Sequence, residues 1–342
     1  GAKLFVTSRC EGNRIARQGE HVKTIQCAME KVRVAINGFG RIGRQVFKAI
    51  YERDDLEVVA INGLMDAVSM CYLTRYDSTQ GRFPGHLEAQ GDYLVLDGRP
   101  IPLSSEPLPA KINWRAEPDV VVESSGVFRR KESPKGGYGD HLRGSVKKVI
   151  LTAPAKDSID KMVVVGVNDS VIKPEDKFIS NASCTTNCLA PVVKVLHREL
   201  GVVNGFMNTV HSYTNDQRIL DRMHDDLRRS RAAAVSQIPT TTGAAKSIGI
   251  IIPDLKGKLD GVSVRVPTAT GSLVDFVCNV KKTPTVEEIN AMMRAEAEKP
   301  EMQAILAYTE DPIVSADVIH DPHSAISVSY THLRAHETKA NL

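Results

Sequence analysis

The run Ser183-Cys184-Thr185-Thr186-Asn187-Cys188 sets a reactive side chain where a strand gives way to a helix. Upstream, 177–182 is an apolar strand closing in small polar residues; downstream, Leu189, Val192, Val193 and Leu196 recur at helical spacing. That spacing predicts a helix whose first turn holds Cys184. Unpaired N–H groups and the positive end of the helix dipole meet there, and both favour a thiolate over a thiol. A thiolate is a strong carbon nucleophile, so covalent chemistry is expected at Cys184. Cys188 lies one turn further along the same face, where a small core residue is the ordinary reading of a cysteine. Core packing is the alternative for Cys184 too, and its Ser/Thr-rich frame and helix-start position argue against it. Helical i,i+4 side chains rarely reach disulfide geometry. Cys-x3-Cys without nearby histidines is a poor zinc site, so no metal is expected.

The second chemical motif lies near the other end. A strand over 32–36 runs into Asn37-Gly38-Phe39-Gly40-Arg41-Ile42-Gly43-Arg44 and then a helical stretch, 45–50. This is G-x-G-x-x-G in its proper setting, after a strand and opening a helix. Gly38, Gly40 and Gly43 permit the tight turn and let backbone N–H groups approach a pyrophosphate at the helix start. The alternative is a glycine turn with packing duties only. A second strand, 56–62, ends in Asn62-Gly63, where dinucleotide sites usually place an acid for the adenosine ribose; the first acid here is Asp66. Further apolar strands are predicted over 119–123, 148–152 and 162–167, giving an open, mostly parallel sheet with helices between strands. Ser125 and Thr152 lie at the C-terminal ends of two of these strands, where such sheets bind ligands. Beyond Cys184 the strands lengthen and alternate, over 205–211, 258–267 and 272–281, with an amphipathic helix over 287–298. That pattern suits a mostly antiparallel sheet covered on one face.

These elements belong to an ordinary globular composition: 342 residues, 42% apolar and 25% charged, enough for two domains with real cores. No apolar run approaches the ~20 residues that span a bilayer. Six scattered cysteines argue for a reducing compartment, and hence a cytoplasmic protein. Of the net charge of +3, residues 1–28 alone carry +3 and 328–342 carry +1, leaving a body near neutrality. Nucleic-acid binding has no electrostatic footprint in it. Met29 is followed at once by the first strand, and 1–28 lack an amphipathic period or a signal-peptide core. They are expected to be a non-native or disordered extension, with an organelle transit peptide as the alternative. The segment 328–342 resembles the translation of a sequencing-library adapter and is expected to be an artefact tail.

Six motifs in order, INGFGRIGR (36–44), SNASCTTNC (180–188), HSYTNDQ (211–217), LRRSRAAA (227–234), PTTTGAAK (239–246) and RVPT (265–268), resemble the phosphorylating glyceraldehyde-3-phosphate dehydrogenases. The resemblance runs from about Lys31 to Ile326. It implies α/β plus α+β architecture: a Rossmann-type NAD(P)-binding domain over 29–183, then a mostly antiparallel catalytic domain over 184–327. It also implies a further strand, an aromatic segment that contacts nicotinamide, and a closing helix. None of these is visible here, so the catalytic domain is expected to be truncated and the chain poorly folded or inactive. By the same resemblance, Cys184 is the nucleophile and His211 its base. Thr214, Asp216 and Arg265 match the site for the substrate's phosphate; Ser183, Thr185, Thr242, Gly243 and Arg231 match that for attacking inorganic phosphate. Arg41 and Ile42 fall where the family touches the cofactor pyrophosphate, and Gly63 where NAD-specific members carry an acid, which leaves NAD or NADP open. A glycolytic, cytoplasmic homotetramer is implied. Without the resemblance, His211 is an ordinary core or surface histidine, and Arg228, Arg229 and Arg231 a solvated face.

The implied chemistry is oxidation of an aldehyde through a Cys184 thioester, released by phosphate. Erythrose-4-phosphate dehydrogenase is the enzymatic alternative. Thr214-Asn215-Asp216-Gln217 with Thr242-Gly243 favours the triose phosphate enzyme, whereas Asn62-Gly63 and His320-Asp321-Pro322-His323 leave room for the rival. A non-catalytic gene fragment is the alternative of a different class.

Overall fold

The computed structural model describes residues 30–329, so the leader over 1–28 and all but the first two residues of the tail lie outside the described residues. A nine-stranded sheet runs in the order Lys161–Met162, Phe178–Ser180, Lys148–Leu151, Val120–Glu123, Val32–Asn37, Leu56–Asn62, Arg99–Ser104, Tyr93–Leu96 and Leu87–Gln90. The first seven pair in parallel and the last two antiparallel. Strand order reverses about Val32–Asn37, the point at which open α/β sheets form their ligand crevice. The central strand explains its own burial. Val34 and Ile36 join Phe47, Ile50 and Ile61 on one face, while Ala35 joins Val121, Tyr138 and Val149 on the other. Apolar residues at every position are what a strand covered on both faces requires.

The helix Arg41–Tyr51 lies against the glycine turn. A Cβ at Gly43 would stand 2.1 Å from the Gly38 carbonyl oxygen, and one at Gly38 would stand 2.4 Å from the Ser125 amide nitrogen. Gly38 also has φ +89°, a conformation closed to other residues without strain. Gly40, by contrast, faces open space.

A second sheet orders Ile238–Thr241, Leu259–Val266, Val202–Ser212 and Leu273–Val280. Two of its three pairings are antiparallel and the middle one is parallel. The helices Cys184–Leu200, Ala244–Ile251 and Val286–Ala297 cover one face, burying Leu189, Val193, Leu196, Met207, Ile248 and Met293 in one cluster. Each such side chain contributes about 1.5–3 kcal/mol on full burial. The opposite face leaves Phe206, Val262, Leu273 and Val277 exposed. No described helix is long and apolar enough to cross a membrane.

Three local expectations change. The strand predicted over 162–167 stops at Met162, because Asn168 and Asp169 capture the backbone: Asn168 Oδ1 accepts from Val164 N and Asp169 Oδ1 from Gly166 N, both at 2.8 Å. Side-chain bonds of this kind compete directly with a ladder. The strands Leu87–Gln90, Tyr93–Leu96 and Arg99–Ser104 add an antiparallel extension to the expected parallel sheet. The last strand runs one residue past the expected end of the body, Ala325–Val328 pairing in parallel with Leu306–Thr309.

We expect Gly43→Ala to lose about 1–3 kcal/mol of stability, or more, through overpacking against the turn. Gly40→Ala should leave the thermal midpoint nearly unchanged. Equal melting of the two variants contradicts this account of the turn.

Candidate active site

The strand-to-helix junction is built to raise Cys184 to the surface. Ser183 caps the helix, its Oγ accepting from Thr186 N at 3.1 Å and lying 2.7 Å from Thr186 Oγ1. Ala182, just before it, sits at φ +54°. The left-handed conformation costs an ordinary residue about 1–2 kcal/mol, and neighbouring bonds hold it in place. Ser180 Oγ accepts from Ala182 N (3.1 Å) while donating to Ala153 O (2.8 Å). Asn187 Nδ2 donates to the carbonyls of Asn181 (2.8 Å) and Ser183 (2.9 Å), bracing the turn from within the helix.

His211 enters from the strand Val202–Ser212 and is buried. Its Nε2 lies 3.4 Å from Cys184 Sγ. Nδ1 lies 2.6 Å from the carbonyl oxygen of Ser212. A carbonyl cannot donate, so Nδ1 carries a proton and Nε2 is left to accept one from the thiol. Arg265 Nη1 is 3.0 Å from both Nδ1 and that same carbonyl. A guanidinium only donates, so its bond goes to the oxygen. Register brings the two side chains together, because His211 stands opposite Arg265 in the parallel pair.

Burial is the largest influence on the Cys184 thiol and pushes its pKa up. The His211 hydrogen bond and charge, with the Thr185 hydroxyl and amide, outweigh it and hold the thiol below its ordinary value. The residue nonetheless keeps an exposed surface through which a reactant can approach. Cys188 has no such partners. Burial, with the charge of Cys184 added, pushes its thiol up to about 11.

Around the thiol stand groups suited to anions. Arg265 Nη1 is 3.4 Å from Thr214 Oγ1. Burial lowers the pKa of Arg265, while the charges of Cys184 and Asp216 raise it and that of Arg229 lowers it. Asp216 is bound by Arg229 Nη1 at 2.5 Å, and Arg229 also donates to Thr240 Oγ1 through Nε at 3.0 Å. Arg231, expected near the attacking phosphate, instead pairs with Asp221 at 3.0 Å on an exposed surface. The guanidinium in electrostatic reach of Arg265 is therefore that of Arg229. The choice of Arg231 rests on the family resemblance, and residue type alone does not distinguish Arg228, Arg229 and Arg231 in an irregular loop. Thr242 and Gly243 open the helix Ala244–Ile251, Thr242 Oγ1 accepting from Ala244 N at 3.2 Å. Ala182, Ala244 and Ala245 share one apolar cluster, so this helix start and that of Cys184 rest on common packing.

The dinucleotide crevice is equally defined. Gly38, Gly40 and Gly43 form the turn, and Arg41 donates to Thr79 Oγ1 at 2.5 Å with Asp77 at 3.6 Å. Ile42 is exposed on the first helical turn. Ser125 donates to Glu123 Oε1 through both N and Oγ, and Thr152 donates to the Glu123 carbonyl. The absence of any Cβ at Gly38 and Gly43 leaves the close backbone cradle that a pyrophosphate requires, so the residues fit a dinucleotide.

Two family descriptions match the chain: "Glyceraldehyde 3-phosphate dehydrogenase, NAD binding domain" over residues 32–131 and "Glyceraldehyde 3-phosphate dehydrogenase, C-terminal domain" over 183–340. The glyceraldehyde-3-phosphate dehydrogenase of Borreliella burgdorferi is 54% identical over 298 residues, covering 86% of this chain and 88% of that protein. That of Geobacillus stearothermophilus is 52% identical over 288 residues, covering 84% of each. The chain belongs to the glyceraldehyde-3-phosphate dehydrogenase family. It carries the family's NAD-binding and catalytic domains and is an oxidoreductase of that class. The enzyme of Zymomonas mobilis is similar as well, 48% identical over 297 residues, 86% of this chain and 87% of that one.

Within this dehydrogenase fold the two cysteines should separate cleanly. Iodoacetamide should label Cys184 well before Cys188, with a pH profile whose midpoint lies below that of a free thiol. His211→Asn should move that midpoint upward, because it removes the group that favours the thiolate. Cys184→Ser should abolish dehydrogenase activity and Cys188→Ser retain a substantial fraction. Preferential labelling of Cys188 contradicts the assignment.

Proposed function

We propose that the protein converts glyceraldehyde 3-phosphate, NAD+ and inorganic phosphate into 1,3-bisphosphoglycerate through a thioester on Cys184. The contact between Cys184 Sγ and His211 Nε2 carries this reading. Passage of the thiol proton to Nε2 leaves a thiolate at a helix start, and its sulfur forms a bond to the aldehyde carbon. Amide N–H groups of the first turn stabilise the oxygen as it gains charge. NAD+ supplies the hydride acceptor. The His211 imidazolium returns its proton to that oxygen to give a hemithioacetal hydroxyl. His211 takes the proton back as the hydride departs, so that the C–S adduct becomes a thioester and the proton passes on to solvent. A phosphate oxygen then attacks the acyl carbon, the C–S bond breaks, and the thiolate is restored. Arg265 with Thr214, and the Thr242–Gly243 helix start with Ser183 and Thr185, hold the two phosphates. Arg229 supports the first of these sites by pairing with Asp216. The same reading makes the protein a cytoplasmic homotetramer, in keeping with its composition and its exposed apolar sheet face.

NADH formation should depend on added phosphate and be faster with glyceraldehyde 3-phosphate than with erythrose 4-phosphate. Faster, phosphate-independent turnover of the tetrose contradicts the assignment and favours the erythrose-4-phosphate reading.

We further propose that NADP is accepted beside NAD. Asn62 cannot supply a ribose contact. Its Nδ2 donates to Asn37 Oδ1 (2.8 Å) and Glu106 O (2.9 Å), and its Oδ1 accepts from Ser104 Oγ (2.8 Å) and Glu106 N (2.9 Å). Asp66 is committed to capping the following helix, its Oδ1 accepting from Ser69 N (2.8 Å) and its Oδ2 from Ser69 Oγ (2.7 Å). Gly63 itself carries no carboxylate to bind a 2′-OH or repel a 2′-phosphate. A Cβ at Gly63 would meet the Met70 Cε at 2.8 Å, a flexible side-chain end that can yield. Gly63→Asp should lower NADP affinity relative to NAD about tenfold or more, while Gly63→Ala, with the same crowding and no charge, should not. A strong NAD preference in the unaltered protein, unchanged by Gly63→Asp, contradicts the proposal.

A further inference from the structure

Beneath the dinucleotide crevice lies a buried polar group that the chemistry above does not use. Glu123 ends the strand Val120–Glu123, and its carboxylate is almost wholly buried. Oε1 accepts from Ser125 N (2.9 Å) and Ser125 Oγ (2.5 Å), and Oε2 accepts from Asn37 Nδ2 (2.5 Å) with His141 Nε2 at 2.9 Å. The Glu123 carbonyl accepts from Thr152 N (3.1 Å) and Thr152 Oγ1 (3.3 Å). One residue thus ties together the start of the glycine turn, the Ser125 loop and the Thr152 loop. These loops follow three adjacent strands at the reversal of sheet order.

We propose that Glu123 is the positioning residue of the dinucleotide site, its carboxylate oriented by His141 so that the Ser125 loop is held against the glycine turn. The inference rests on the reading of this crevice as the cofactor site. The close packing of Gly38 on the Ser125 amide shows how little latitude the loop has. Since Glu123 gathers the amide and hydroxyl of Ser125 on one oxygen, rotation of the carboxylate moves that loop directly. His141 fixes the rotation. It is fully buried, and its Nδ1 has no hydrogen-bond partner among the described residues. A second ring proton would be stranded there without an acceptor. The single proton therefore belongs on Nε2, where it is donated to Glu123. An apolar pair would pack these strands as well, but it could not aim an acceptor at Ser125.

Three variants separate positioning from plain packing. Glu123→Gln turns one acceptor into a donor facing Asn37 and His141. His141→Gln preserves an N–H toward Glu123, whereas His141→Leu removes it. NAD affinity by calorimetry should fall about tenfold or more in Glu123→Gln and His141→Leu, and stay within about threefold in His141→Gln. The Cys184 alkylation rate should be the same in all three, because the side chains of Glu123 and His141 bond to Asn37, to Ser125 and to each other, not to Cys184, His211 or the groups that brace them. If Glu123→Gln fails to fold, the two His141 variants still decide. Equal NAD affinities in the two His141 variants, or lowered thermal midpoints with NAD affinity kept, overturn the proposal. Absence of NAD binding by the unaltered protein would instead overturn the reading of the crevice itself, and this inference with it.

Discussion

The proximity of a sulfur to an imidazole nitrogen, 3.4 Å apart, is the interaction on which the rest of the molecule turns. Neither partner is reactive alone. A buried thiol is driven toward its neutral form, as Cys188 shows, and a neutral imidazole with the wrong tautomer would offer Cys184 only a proton. The Ser212 carbonyl settles the tautomer by taking the Nδ1 proton. Arg265 then holds that carbonyl from the other side, so the strand register of His211 against Arg265 is also the register of the proton.

Holding this contact has a conformational cost, and the fold meets it locally. Ala182 is kept in a left-handed conformation between a buried strand and a helix cap, a turn sharp enough to bring the next residue but one into the open. Strain of this order persists only where surrounding bonds over-determine it. The Ser180 hydroxyl and the Asn187 amide do so here. The dinucleotide half follows a different strategy. Its turn is held by close backbone approach at Gly38 and Gly43, and by a chain of buried amides and one carboxylate crossing three strands. Strain positions Cys184, and polar networks position the glycine turn and the loops beside it.

Much of this was legible in the sequence where a single physical requirement fixes both residue type and place. The helix at Cys184 and the turn at 37–43 are of this kind, because a cap, a glycine and an apolar period all point the same way. The hairpin strands between 87 and 104 were obscured by Pro100 and Pro102, which argue against a strand. The signal that could have revealed them was Asp97-Gly98, both with positive φ, the pair a tight hairpin turn prefers. That Arg231 pairs with Asp221 at an exposed surface while Arg229 turns toward Asp216 and Thr240 was out of reach, since only these contacts tell which guanidinium turns inward. The saturation of Asn62 was hidden for the same reason: its four bonds go to Asn37 and to the distant 104–106 segment.

The central claim is that the substrate's carbon becomes bonded to Cys184. Incubation with glyceraldehyde 3-phosphate and NAD+ in the absence of phosphate, followed by acid quenching and peptide mass spectrometry, tests it most directly. The account predicts a phosphoglyceroyl adduct on the peptide bearing Cys184, located on that residue by fragmentation and removed by adding phosphate before the quench. An adduct on Cys188, or NADH formed in a single turnover with no acyl group on either cysteine, would contradict it.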